Sequence, residues 1–100
     1  MESGWVILLP VKDPAESVVV EFVFAELDSA PSLASVSIAP IGATDPSAAA
    51  MLDGAAQIVG ASVFQRVKSG LSGVSYKLRC EATRGDDVRV IAAALPVREA

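Results

Sequence analysis

The chain has 100 residues, 8 Lys and Arg against 12 Asp and Glu, a net charge of −4, no histidine and one cysteine. Without His and with a lone Cys80, Ser–His and Cys–His nucleophilic sites, a Cys/His zinc site and an intrachain disulfide framework are excluded. The acidic balance argues against nucleic acid or an anionic membrane as the main partner. Apolar residues make up 52% of the chain but aromatics only 5%, so the core has to be built from Val, Ile, Leu and Ala. Many β-branched residues and six prolines favour strands and turns over helices. The length fits one domain, residues 1–100, burying roughly 65% of its unfolded surface.

Met1–Leu9 does not read as a signal peptide, because it lacks a basic start and its apolar run ends at Pro10. No stretch approaches the length of a transmembrane helix. Residues 1–16 form a first strand or an N-terminal arm around Trp5–Leu9. Trp5, the only tryptophan, anchors the core or a sheet edge, or meets a partner. Pro10 and Pro14 interrupt regular pairing around Lys12 and Asp13.

Ser17–Phe24 is the clearest strand. Val18, Val20, Phe22 and Phe24 share one face, and Val19, Glu21 and Val23 the other. Both faces are largely apolar, as in a strand flanked on two sides or touching another subunit. Glu26–Ser32 is a polar turn. Leu33–Ala39 is a second alternating strand, with Leu33, Val36 and Ile38 carrying the apolar weight. Pro40–Ala49 is a loop. Asp53-Gly54 between Ala48–Leu52 and Ala55–Val59 suits a two-residue hairpin turn, while the alanines also permit a helical turn; both readings of 48–59 stay open.

Ser62–Lys68, Tyr76–Thr83 and Val88–Val97 read as three strands joined by glycine-marked turns at Ser69–Gly73 and Arg84-Gly85-Asp86. In the second, Tyr76, Leu78, Cys80 and Ala82 alternate with Lys77, Arg79, Glu81 and Thr83. Val63 and Val67 are read as inward, and Val88, Val90 and Ala92 as facing inward beside Tyr76–Thr83. Cys80 falls on the apolar face and is a core residue. The whole reads as an all-β fold: a two-layer antiparallel β-sandwich of about seven strands, immunoglobulin-like in broad plan.

Charge is uneven along the chain. Residues 1–60 carry one cation against eight anions, a net −7, and residues 61–100 carry seven cations against four anions, a net +3. Arg66, Lys68, Lys77, Arg79 and Arg89 read as a basic stripe across three neighbouring strands, either a solvated face or a docking face for an acidic partner. Asp86-Asp87 sits in a turn, where Asp serves backbone hydrogen bonding rather than a metal. Gly70-x-x-Gly73 opens no helix and lacks the Lys-Ser/Thr of a phosphate loop. Arg84-Gly85-Asp86 spells the integrin-ligand tripeptide, but a hairpin turn explains it. No catalytic, cofactor or metal residues emerge.

One ordered pattern goes further. Lys12-Asp13-Pro14-Ala15-Glu16, an apolar strand, Val67-Lys68-Ser69-Gly70-Leu71-Ser72-Gly73-Val74-Ser75-Tyr76 and Thr83-Arg84-Gly85 resemble the small tail-associated structural proteins of tailed bacteriophages, the fiber–tail adaptor proteins. Ser69 stands where that family has one Gly of a doublet, and Phe22 where aspartate and tryptophan are common. The resemblance implies a non-enzymatic virion protein, made in the bacterial cytoplasm. It would act as a tail adaptor or connector through contacts with other virion structural proteins and with copies of itself. No nucleic acid, membrane or small-molecule substrate is implied. Trp5, Val19, Phe64, Arg66, Lys77 and Arg79 are the interface candidates. The alternative is an immunoglobulin-like module from a secreted bacterial protein that binds carbohydrate or a surface protein.

Overall fold

Tyr76, Leu78, Cys80 and Ala82 are sealed from solvent, and the strand that carries them lies at the centre of the larger sheet. The structure, a computed structural model, describes residues 6–24 and 30–100. Among these, seven strands run in chain order: β1 (Val6–Leu8), β2 (Val18–Val23), β3 (Leu33–Ile41), β4 (Leu52–Val59), β5 (Ser62–Val67), β6 (Ser75–Arg84) and β7 (Asp87–Pro96), with one 3₁₀ turn, Ala48–Met51, before β4.

They form two sheets, ordered β1-β7-β6-β3 and β2-β5-β4, which pack as a sandwich. Strands β2 to β7 occupy the places of the B-E-D and C-F-G sheets of an immunoglobulin-like sandwich. All pairings are antiparallel except one: β1 runs parallel to β7, Val6 to Ala92 and Leu8 to Ala94. Pro10 interrupts this ladder, which resumes as a single bridge between Lys12 and Val97. The core joins Val20, Phe22 and Phe24 with Val63 and Val67 of one layer to Tyr76, Leu78, Cys80, Ala93, Leu95 and Val97 of the other.

Several expectations change. The segment after Val67 is not a tight turn between neighbours, since β5 belongs to one sheet and β6 to the other. The basic stripe is therefore broken: Arg66 lies on β5, away from Lys77 and Arg79 on β6. On β7 the inward set is Ile91, Ala93, Leu95 and Val97, while Val88 and Val90 are exposed. The hairpin loop explains this, because Gly85-Asp86 is only two residues long and pairs Arg84 with Asp87. Ile91 thereby falls opposite Cys80, and Ala93 opposite Leu78. Gly85 has φ +60° and Asp86 has no positive φ, the φ pattern of a II′ turn. On β3 the half-buried residues are Ala34, Val36, Ile38 and Pro40; Leu33 lies outside with Ser35 and Ser37.

Residues 48–59 resolve into the 3₁₀ turn followed by one strand. Asp53-Gly54 is no hairpin turn but sits in a bulge of β4: Asp53 pairs with Arg66 and Gln57 with Phe64, so β4 carries two extra residues. Gln65 supports the bulge. Its side chain is buried with Val63 and Val67, and its Nε2 donates to the carbonyls of Gly54 (3.1 Å) and Arg66 (2.9 Å). A side-chain amide thus replaces the ladder bond that the bulge removes. The turn into β5 is Gly60-Ala61. Most of the Glu26–Ser32 turn, and Trp5, lie outside the described residues.

Candidate functional site

Register decides which candidate residues meet. Val19 lies opposite Arg66, and Glu21 opposite Phe64, across β2 and β5. Inward Val20 and Val67 turn these neighbours outward. With Asp53 to Ala55 and Gln57 of the bulged strand, Val19, Phe64 and Arg66 line a shallow hollow of ≈ 270 Å³ on the outer face of the smaller sheet. Arg66 donates to Ser17 Oγ at 3.2 Å, and Ser62 to Glu21 at 2.7 Å. Three sequence candidates are thereby brought together.

Lys77 and Arg79 are on the opposite side of the molecule, on the outer face of the larger sheet. Arg79 pairs with Glu81 at 3.4 Å, both side chains near half exposed, a contact worth at most about 1 kcal/mol. Around them this face is small or apolar: Ser35, Ser37 and Ala39 on β3, Ala92 and Ala94 on β7, with Leu8, Leu33, Ile41, Val88 and Val90 exposed.

A second hollow of ≈ 270 Å³ runs along the open side between the sheets. It is lined by Leu9–Lys12, Glu16, Val18–Glu21 and Leu95. Lys12, the one cation in the first sixty residues, is only 1% exposed. Its ammonium donates to the main-chain carbonyls of Asp13 (2.9 Å) and Ser69. Burial lowers its pKa, and the charges of Glu16 and Asp13 oppose that shift. Asp13 in turn accepts from the Ala15 and Ala100 N–H groups, which lower its pKa.

A third polar cluster closes the loop before β6. The Tyr76 hydroxyl donates to Asp45 Oδ2 at 2.7 Å and accepts from the Leu71 N–H at 2.9 Å. A tyrosine at the start of this strand, bonded to the backbone just upstream, is the tyrosine corner of sandwich folds. Burial, then the bond to Asp45, raises its pKa. Sequence reading passed over both clusters as sites. The signals were there: a lone cation in an acidic half, and a tyrosine heading an alternating strand.

Among the described residues no group of three His, Cys, Asp or Glu side chains could hold a metal ion. The Cys80 thiol is buried, and desolvation pushes its pKa up to about 11. A Cβ added at Gly70 would stand 3.0 Å from Met51 and Val97, so this loop packs on the core rather than cradling a ligand. Among the described residues no helix is long and apolar enough to cross a membrane. No family model, curated protein or solved structure matches the chain.

Proposed function

We propose that the chain is a non-enzymatic structural protein of a phage or prophage virion, a tail–fiber adaptor or connector component that works through protein–protein contacts. One observation carries this reading: apolar side chains stand on both outer faces. Val19, Val23 and Val59 rise from the smaller sheet, and Leu8, Leu33, Ile41, Val88 and Val90 from the larger. Apolar surface spread over two opposite faces suits a part held between neighbours. The ordered Lys-Asp-Pro, Ser-Gly, Tyr and Thr-Arg-Gly pattern supports the same role. Here Lys12 and Ser69, two positions of that pattern, touch each other, and the Tyr76 hydroxyl accepts from the Leu71 N–H in the loop that begins at Ser69. In this reading Val19, Phe64 and Arg66 meet one neighbour, Lys77 and Arg79 another, and the protein acts in the particle after synthesis in the host cytoplasm.

The test is to raise an antibody to the chain and probe density-banded particles from the host. Co-banding with tail and capsid proteins is expected. Absence from particles, with the chain found on the cell surface or in the medium, overturns the reading in favour of a secreted binding module.

A further inference from the structure

The four sheet edges are unequal. β1 has three residues, β2 carries Glu21 at its middle, and β4 is bulged between Asp53 and Gln57. All three devices discourage pairing with another strand. β3 has none of these three and is blunted only near one end, by Pro40. It runs nine residues, Leu33–Ile41, without a charge and in unbroken register with β6. Among the described residues, no hydrogen bond other than the β6 ladder reaches it.

The phase of that free edge follows from one bond. Val97 N–H donates to the Val74 carbonyl, so on β6 it is Tyr76, Leu78 and Cys80 whose main-chain groups bond β7. Lys77, Arg79 and Glu81 then bond β3 through Ala39, Ser37 and Ser35. Ala34, Val36, Ile38 and Pro40 are left with main-chain groups facing outward. Pro40 falls where its missing N–H costs the β6 ladder nothing.

We infer that β3 pairs antiparallel with β3 of a second copy, with Ser37 on the two-fold axis, joining two four-stranded sheets into one of eight strands. The occupant follows from self-complementarity. About Ser37, Leu33 falls opposite Ile41, which are 67% and 48% exposed, so the two large apolar residues at the strand ends cover each other. Val36 meets Ile38, which continues the half-buried inner face across the junction. Ser35 meets Ala39, small residues that bring Glu81 of one copy and Lys77 of the other toward each other. The paired strands carry no charge themselves, and Arg79, which flanks Ser37 on each side of the axis, is paired with Glu81 of its own copy. Pro40 removes one donor at each end, which sets the length of the ladder. The inference deepens the contact-protein reading by naming a second copy as partner, and it rests on that reading only for its biological purpose.

Sedimentation equilibrium on the full chain tests it, and a dimer is expected. Ser37→Lys places two ammonium groups opposite each other on the axis and weakens the dimer roughly tenfold or more, with the unfolding transition unchanged at dilutions where both proteins are monomeric. Ser37 pairs with itself at a non-hydrogen-bonded position, where cross-strand disulfides fit. Mild oxidation of Ser37→Cys therefore yields a covalent dimer and oxidation of Ser35→Cys does not; this holds even if Ser37→Lys folds poorly. A monomer at the highest soluble concentration, or equal cross-linking at both positions, overturns the inference. Because particle incorporation is scored separately, a monomer that still co-bands with virions sinks the pairing alone.

Discussion

The ammonium of Lys12 and the carbonyl of Ser69 meet across fifty-seven residues of chain. The bond ties the segment after β1 to the loop between the two sheets. Ser69 needs such a tether, because it is the one described non-glycine residue with positive φ, +61°.

Lys12→Met keeps the volume and removes the donor. The Asp13 and Ser69 carbonyls then lose a charged partner, and stability falls by about 1–3 kcal/mol. Urea unfolding checks this, with an unchanged m-value showing that the fold is retained.

Ser69 and Gly70 should respond in opposite directions. Ser69→Gly relieves a left-handed residue and is expected to stabilise by up to about 1 kcal/mol, since backbone relief exceeds the entropy glycine adds to the unfolded chain. Gly70→Ala, at φ +101° against Met51 and Val97, is expected to destabilise by about 1–3 kcal/mol. Thermal unfolding of the two variants side by side reads both signs.

Tyr76 and Asp45 act as a pair. Tyr76→Phe deletes the hydroxyl and leaves the Leu71 N–H without its acceptor, at about 1–2 kcal/mol. A double-mutant cycle with Asp45→Ala should show a coupling of at least about 0.5 kcal/mol. Strict additivity would show that the 2.7 Å bond contributes nothing.

Alkali should weaken the fold partly through Cys80. Burial raises its thiol from 9.0 to about 11, so between these values the native state keeps a proton that the unfolded state releases. Stability therefore falls as pH rises through that window. Tyr76 adds to the fall above its ordinary value, whereas Lys12, with a lowered pKa, opposes it. Cys80→Ala should flatten the profile between pH 9 and 11 relative to wild type. Native Cys80 should also resist a thiol reagent at pH 8 and react on unfolding.

The chain itself determined the strands, because alternation is local. Val18 to Phe24 and Tyr76 to Ala82 each turn one face inward whatever surrounds them, and Gly85 marks its hairpin by conformational freedom alone. Sequence also carried the sandwich class, and three of its interface candidates, Val19, Phe64 and Arg66, line one hollow. Tertiary structure decided what depends on register and on strand partners. Which half of β7 faces inward turns on a two-residue loop, and Leu33 lies outside because β3 pairs in phase with β6. Arg66 parts from Lys77 and Arg79 because β5 and β6 belong to different sheets. Asp53-Gly54 became a bulge rather than a turn because Gln65, eleven residues on from Gly54, supplies the missing bond. The burial of Lys12 has the same origin: long-range pairing brings Ser69 to its ammonium, and no spacing along the chain encodes that.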